Sequence, residues 1–208
     1  MKRLRIGILA SGGGTNLQAI IDSCERGEID GDVVVVISNV FNASALDRAR
    51  KHGIAVFCFP HEGLTREQHE TDVIECLGQH QVDLVCLAGY LRMLTPLMID
   101  KYAGRVINTH PALLPSFGGK GMHGLNVHEA VIDCGCKVSG CTVHVVTAEV
   151  DGGPILLQKA VPVLEDDTPE TLQERILKEE HKLYPRAVQL FAQGKVKIDG
   201  KRARILET

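Results

Sequence analysis

The sequence predicts an α/β protein built on a doubly wound, mostly parallel Rossmann-like sheet, with an antiparallel strand in the C-terminal half. The first observation is that apolar runs of strand length alternate with helix-patterned segments through the first half of the chain. Strands that are apolar throughout are typical of parallel sheets covered by helices on both faces. The second observation is that two strand-like runs past residue 137 are separated by only a short connection, which favours antiparallel pairing.

The apolar and helical runs define the elements in chain order. Five strands are predicted at residues 4–10, 33–38, 55–59, 83–88 and 105–110, with helices near residues 16–25, 43–52, 66–79 and 96–102. Strands at residues 140–146 and 155–163 are joined through TAEVDGGP. The last helix begins at Thr168 and Pro169, is kinked or broken at Pro185, and ends at Gly194, because proline lacks a backbone donor and glycine favours a helix end.

Residues with strong preferences for helix ends support these helices. A Ser, Thr or Asn followed three positions later by Glu or Gln favours a capping box, and proline favours the first helical position. The resulting predictions are boxes at Thr15 with Gln18 and at Asn126 with Glu129, an N-cap at Thr95 before Pro96, and a helix end at Gly53.

Length and charge limit the class of protein. We expect 208 residues to form a single domain over residues 1–208. The formal net charge of −3 gives no reason to expect nucleic acid or a membrane surface as a partner, so the ligands are predicted to be small molecules. The apolar run after MKRLR is broken by a glycine cluster and is too short for a signal segment, which favours a cytoplasmic protein. A monomer and a homodimer are both compatible with the sequence.

The cysteines and histidines give no metal motif. Seven cysteines, an odd number, lie mostly within apolar runs, which suits buried thiols in a reducing compartment better than a disulfide framework. Cys134, Cys136 and Cys141 lack paired C-x-x-C spacing, and no H-x-x-x-H pattern occurs. We therefore expect no metal.

The stretch ILASGGGTNLQAII places a glycine-rich turn between the first strand and the first helix. Backbone N–H groups and the helix dipole at such a turn favour a phosphate group. Leu17 replaces the third glycine of a dinucleotide-binding loop, and the lysine of a nucleoside triphosphate loop is missing. The turn therefore favours a phosphomonoester, although a tight turn that needs glycine only for its backbone angles remains the alternative.

Asn108 and His110 stand at the end of the fifth strand in VINTHPALLPSFGG. Side chains two apart on a strand share a face, and Pro111 keeps His110 extended. An amide and an imidazole side by side can both donate to an oxyanion, and the imidazole can relay protons near neutral pH. Asp151 in EVDGGPI could orient and charge that imidazole, but Asp-Gly is equally common in hairpin turns.

The segments GGGTNLQAI, LAGYLRMLTP, VINTHPALLPSFGG and TAEVDGGPIL, in this order, resemble the phosphoribosylglycinamide formyltransferases, a branch of the folate-dependent formyltransferase family, along almost the whole chain. The resemblance implies transfer of a formyl group from 10-formyltetrahydrofolate, a co-substrate, to the amine of 5'-phosphoribosylglycinamide in purine biosynthesis. It also implies a phosphate-substrate half over about residues 1–103 and a catalytic and folate half over about residues 104–208.

The resemblance also assigns roles to residues. It implies a catalytic trio, a substrate-binding set and a folate-binding set that shares one residue with the trio. These sets are Asn108, His110 and Asp151; Gly14, Thr15, Asn16 and Glu180; and Arg66, Leu91, Arg92, Met93, Leu94 and Asn108.

Two other functions compete with this one. The first is a sibling reaction, in which the formyl group goes to another amine or formyltetrahydrofolate is hydrolysed; those relatives carry an additional domain for which this length leaves no room. The second is a non-catalytic sensor of phosphate ligands, which would need the glycine loop but not Asn108, His110 and Asp151 together.

Overall fold

The computed structural model describes residues 2–206, in which nine strands and six helices are assigned. The strands are β1 (Leu4–Leu9), β2 (Gly31–Ser38), β3 (Ala55–Cys58), β4 (Leu84–Leu87), β5 (Val106–His110), β6 (Val138–Val145), β7 (Ile155–Pro162), β8 (Val196–Asp199) and β9 (Arg202–Ile205). The helices are α1 (Thr15–Glu25), α2 (Ser44–Lys51), α3 (Arg66–Gln79), α4 (Pro96–Lys101), α5 (Leu125–Asp133) and α6 (Pro169–Ala192). None of these helices is both long and apolar enough to cross a membrane.

The first seven strands form one sheet in the order β3-β2-β1-β4-β5-β6-β7. Strands β1 to β5 pair in parallel, whereas β6 is antiparallel to both β5 and β7. This topology confirms the predicted doubly wound, mostly parallel sheet with an antiparallel strand in the C-terminal half. It also brings the carboxyl ends of β1, β4 and β5 to one edge, which is where ligands bind in open α/β sheets.

The strands are apolar throughout because helices cover both faces of the sheet. In β4, Leu84 and Cys86 pack in one apolar layer with residues of α1 and α6. Val85 and Leu87 point the other way into a second layer with residues of α3 and α4. A smaller third cluster joins α5, β6 and the start of α6. The continuous hydrophobic runs that predicted a parallel sheet are therefore buried on two sides.

Glycines, rather than side-chain boxes, begin two helices. The boxes predicted at Thr15 and Asn126 are wrong, because α1 and α5 have Gly14 and Gly124 as N-caps and neither has a side-chain cap. The N-cap at Thr95 before Pro96 is confirmed, and so is the end of α2 at Gly53, which has φ +69°. Gly14 (φ +71°) and Gly124 (φ +57°) have positive φ values, which glycine adopts readily. Helix α1 therefore begins one residue, and α5 two residues, earlier than the predicted boxes require.

Helix α6 runs without interruption from Pro169 to Ala192, so a break at Pro185, one of the two predicted outcomes, is wrong. Proline costs a helix one hydrogen bond and a steric clash. Here Tyr184, Pro185, Ala187 and Val188 are all buried. Burial of this apolar face favours the continuous helix and opposes the local cost of proline.

A short hairpin, β8–β9, follows α6 and was not predicted. Gly200 and Lys201 form its turn, and Gly200 has φ +57°. Asp-Gly between alternating residues is a strong hairpin signal, so KIDGKRARI did contain the information needed to find it.

Candidate active site

A cavity of about 1000 Å³ lies at the edge where the parallel strands end. Strand ends, the glycine loop, the segment after β4, the loops around residues 119–124 and 147–151, and one face of α6 all contribute to its wall. Eleven of the twelve predicted site residues line it: Thr15, Asn16, Arg66, Leu91, Arg92, Met93, Leu94, Asn108, His110, Asp151 and Glu180. In the glycine loop, Gly13 lines the cavity and Gly14 does not. Gly14 itself lies behind this wall, as the N-cap of α1.

The structure brings His110 and Asp151 together, although they are 41 positions apart in the sequence. His110 Nδ1 lies 3.6 Å from Asp151 Oδ2, and both side chains are largely buried. Asp151 stands in the turn between β6 and β7, so it is both a turn residue and a neighbour of the imidazole. The two interpretations of Asp-Gly left open by the sequence are therefore compatible.

Hydrogen bonding fixes the neutral tautomer of His110. Its Nε2 lies 2.8 Å from the Phe117 carbonyl oxygen, which can only accept, so Nε2 carries the proton. The unprotonated Nδ1 then faces the Asp151 carboxylate without a hydrogen bond. Protonation of Nδ1 would turn this contact into a charge-assisted one, so the geometry stabilises the imidazolium.

Burial and charge act on the two groups in opposite directions. Burial lowers the pKa of His110, while the Asp151 carboxylate and the Phe117 carbonyl raise it again in part. Burial raises the pKa of Asp151, but nearby His144, the hydrogen bond from the Gly119 N–H and nearby His110 outweigh burial and leave its pKa lowered. Asp151 is thus a carboxylate near neutral pH, and its negative charge faces a buried imidazole.

The backbone holds Asp151 firmly in this position. Its φ is +54°, a left-handed conformation that costs energy in a residue with a Cβ. The Gly119 N–H donates to Asp151 Oδ2 over 2.9 Å. A Cβ at Gly118 would lie 2.7 Å from Leu114 Cδ2 and 3.2 Å from the Cβ of Asp151, so a side chain there would displace its neighbours where the two loops meet.

His144 is a further site residue, which the sequence analysis did not identify. It pairs with Asn108 across β5 and β6, and Asn108 Nδ2 donates to His144 Nε2 over 3.2 Å. The same Nε2 lies 3.6 Å from Asp151 Oδ1. His144 thus orients the Asn108 amide, whose second N–H stays available to a ligand. The segment CTVHVV indicates a strand, but it does not indicate the register that sets His144 opposite Asn108.

The glycine loop is anchored from behind by α2. The Ala45 N–H donates to the Gly12 carbonyl over 3.0 Å, and Arg48 Nε donates to the Gly13 carbonyl over 2.8 Å. With these carbonyls turned toward α2, the first-turn N–H groups of α1 remain free to bind a ligand. A Cβ at Gly14 would lie 2.8 Å from Ala45, so only glycine allows this approach.

Glu180 of α6 reaches the same end of the cavity. The Asn16 amide donates to Glu180 Oε2 over 2.7 Å, joining residues 164 positions apart. Burial raises the pKa of Glu180 to about 7, although the hydrogen bond from Asn16 and the nearby Thr109 hydroxyl oppose the shift. A carboxyl group with this pKa can accept or donate a proton to a polar ligand at neutral pH.

The predicted folate residues form the more apolar wall of the cavity. Leu91 and Met93 are 66% and 47% exposed, unusually high for large apolar side chains, and both face the cavity. Arg66, the first residue of α3, adds a positive charge at its rim. An apolar slot with a cation at its mouth suits a flat aromatic ligand that carries a carboxylate.

This chain is similar to known proteins over most of its length. A family model described as formyl transferase matches residues 4–188. Phosphoribosylglycinamide formyltransferase of Escherichia coli is 39% identical over 196 residues, which covers 94% of this chain and 90% of the relative. The crystal structure of glycinamide ribonucleotide transformylase 1 from Symbiobacterium toebii is 48% identical, with a TM-score of 0.94 over 99% of this chain and 95% of that one.

A longer relative contains a similar segment. The trifunctional purine biosynthetic protein adenosine-3 of Bos taurus is 44% identical over 205 residues, which covers 98% of this chain. This chain spans about a fifth of that protein, 20% of its length.

Proposed function

Because the chain belongs to the formyl transferase family, we propose that it transfers the formyl group of 10-formyltetrahydrofolate to the primary amine of 5'-phosphoribosylglycinamide. The products are 5'-phosphoribosyl-N-formylglycinamide and tetrahydrofolate, in de novo purine biosynthesis. The convergence of Asn108, His110 and Asp151 at one edge of the cavity is the observation that supports this function most strongly.

The acceptor binds between the glycine loop and α6. The free N–H groups at the start of α1 receive its phosphate, which is favoured by the positive end of the helix dipole. Asn16 and Glu180 lie next to that loop and offer an amide and a carboxyl group to the polar body of the same ligand. This division of contacts fits a sugar phosphomonoester better than a nucleoside triphosphate, because the loop lacks a lysine.

The donor binds along the apolar wall formed by the segment from Leu91 to Leu94. Apolar side chains there cover the faces of the pterin ring, and the backbone of the segment offers polar groups to its edge. Arg66 at the rim pairs with a carboxylate of the donor. The formyl group then lies near Asn108, between the two ligands.

The chemistry is a direct displacement at the formyl carbon. The amine nitrogen attacks that carbon, and the formyl oxygen becomes an oxyanion. The bond from carbon to N10 of the folate then breaks, and the proton lost by the amine goes to N10. No covalent enzyme intermediate forms, so none of the seven cysteines has to act as a nucleophile.

Asn108 and His110 stabilise the oxyanion. Asn108 donates the N–H that His144 leaves free, and His110 donates as an imidazolium supported by Asp151. In the present conformation Nε2–H of His110 is bonded to the Phe117 carbonyl, so the oxyanion replaces that carbonyl as its acceptor. His110 or a water molecule beside it carries the proton from the amine to N10.

The test follows tetrahydrofolate formation by absorbance, with 10-formyltetrahydrofolate in the presence and absence of 5'-phosphoribosylglycinamide. The His110→Ala variant should lose turnover by ~10²–10⁴-fold, because it removes both an oxyanion donor and a proton relay. Its far-UV circular dichroism and its melting temperature should stay close to those of the wild type. His52→Ala is the matched control, since His52 pairs with Glu25 on the surface and does not line the cavity.

Each other outcome has a definite meaning. Near-normal turnover in His110→Ala would remove His110 from the mechanism. Turnover of wild-type protein without acceptor would identify a hydrolase instead of a transferase. No turnover with both substrates would contradict the proposed reaction.

A further inference from the structure

Ser11 lies at the junction between the glycine loop and the donor-binding wall but does not line the cavity. It follows β1 and directly precedes Gly12. Its side chain is buried, with 7% of the residue exposed. A buried hydroxyl at such a place needs hydrogen-bond partners, and those partners show what the residue connects.

Two hydrogen bonds tie Ser11 to the segment after β4. The Ser11 N–H donates to the Gly89 carbonyl over 3.0 Å. The Leu91 N–H donates to Ser11 Oγ, also over 3.0 Å. One residue therefore spans Gly89 to Leu91, where the proposed donor-binding segment begins.

Asn39, which follows β2, fixes the direction of the Ser11 hydroxyl. Ser11 Oγ lies 2.6 Å from Asn39 Oδ1, and a carbonyl oxygen can only accept, so the hydroxyl proton points at Asn39. The lone pairs of Oγ are then left for the Leu91 N–H. Asn39 is itself held, because its Nδ2 lies 3.3 Å from His61 Nδ1, and it is 5% exposed.

The glycine loop next to Ser11 has few ways to move independently. Its Gly12 and Gly13 carbonyls are anchored to α2 by Ala45 and Arg48. A ligand that orders the N–H groups of this loop therefore restrains Ser11 as well, and Ser11 restrains the Leu91 backbone. Ser11 therefore joins the two proposed ligand sites through both its backbone N–H and its side-chain hydroxyl.

We propose that Ser11 is a positioning residue that couples the two substrate sites: its hydroxyl, directed by Asn39, transmits order in the acceptor-phosphate loop to the Gly89–Leu91 backbone of the donor wall. This inference rests on the proposed function. The coupling is reciprocal by thermodynamic linkage, so each ligand raises the affinity for the other by the same factor. It is an effect on binding and requires no contact between Ser11 and either substrate.

The experiment measures the dissociation constant of tetrahydrofolate by calorimetry, with and without saturating 5'-phosphoribosylglycinamide. In the wild type the acceptor should tighten tetrahydrofolate binding by about fivefold or more. In Ser11→Ala the ratio of the two dissociation constants, without acceptor to with acceptor, should fall to about one. The KM of the donor should also rise by about tenfold, with a smaller change in kcat, because the Leu91 N–H loses its acceptor.

Two further variants separate positioning from general destabilisation. Ser139→Ala is the matched control, because Ser139 is also a buried serine, and its Oγ has no hydrogen-bond partner among the described residues. It should keep the wild-type ratio. Asn39→Ala leaves Ser11 in place but removes the acceptor of its proton, so it should also lower the ratio. In the double variant with Ser11→Ala, the ratio should be no lower than in Ser11→Ala alone.

Failure of this inference can be distinguished from failure of the proposed function. If the wild type shows acceptor-dependent turnover, two results would overturn only the coupling. One is a ratio of one in the wild type, and the other is an unchanged ratio in folded Ser11→Ala. If Ser11→Ala does not fold, an unchanged ratio in Asn39→Ala would overturn it. Absence of acceptor-dependent turnover in the wild type would overturn both.

Discussion

At the scale of single residues, the contact between His110 and Asp151 links charge to activity. In Asp151→Asn the carboxylate no longer opposes the effect of burial, so the pKa of His110 should fall further. Activity that needs the imidazolium declines as pH rises through this pKa, so that decline should move to lower pH. The measurement is kcat/KM against pH for both proteins. An unchanged profile would mean that Asp151 serves only as a turn residue; Asp166→Asn, at an exposed acid outside the cavity, is the control.

The buried carboxyl group of Glu180 should make the stability of the protein depend on pH. Its pKa is about 7 in the folded protein against 4.5 as the ordinary value, so the folded state holds the proton more tightly. The resulting stabilisation is fully present below pH 4.5 and is lost as pH rises through 7. The Glu180→Gln side chain cannot titrate. The free energy of unfolding of this variant, relative to that of the wild type, should therefore rise by about 2–3 kcal/mol from pH 5 to pH 8. Melting temperatures at both pH values test this, and a constant difference would contradict it.

At the scale of elements, the start of α1 depends on the conformation of Gly14. Gly14→Ala requires a left-handed alanine and puts a Cβ 2.8 Å from Ala45 of α2. Gly27→Ala is a matched control, because Gly27 has φ +73° but no atom within 4 Å of the added Cβ. Both variants should lose about 1 kcal/mol for the backbone, and Gly14→Ala should lose at least ~1 kcal/mol more for the clash. Urea midpoints measure the difference.

The same pair of variants tests the binding role of the loop. Gly14→Ala should also raise the KM for 5'-phosphoribosylglycinamide, because α1 and its free N–H groups shift relative to α2. Gly27→Ala should leave that KM unchanged. Equal stability and equal KM in the two variants would show that the loop tolerates a side chain at Gly14.

At the scale of the whole molecule, ligand binding should stabilise the fold, because the cavity joins distant parts of the chain. Asn16 of α1 and Glu180 of α6, 164 positions apart in the chain, meet at its wall. At about 100 times its dissociation constant, 5'-phosphoribosylglycinamide should add about 2.7 kcal/mol to the free energy of unfolding. The gain should be the same in His110→Ala, whose role is in the chemistry, and smaller in Gly14→Ala. No rise in melting temperature with the acceptor would contradict this site.

The sequence by itself determined the features that depend on local periodicity. Apolar runs and glycine-rich turns predicted the five parallel strands, the helices between them and the antiparallel β6, and the Pro-flanked strand end placed Asn108 and His110 at the edge where ligands bind. These features follow from backbone geometry within a few residues, so a single chain segment contains them.

Only the tertiary structure decided the contacts between segments distant in sequence. The register of β6 sets His144 opposite Asn108, the turn after β6 brings Asp151 to 3.6 Å from His110, and burial of one face keeps α6 continuous through Pro185. Each depends on how separate elements pack rather than on local residue preferences. A shift of one residue in the pairing of β5 and β6 would turn His144 to the other face of the sheet, and no local pattern in either strand specifies that register.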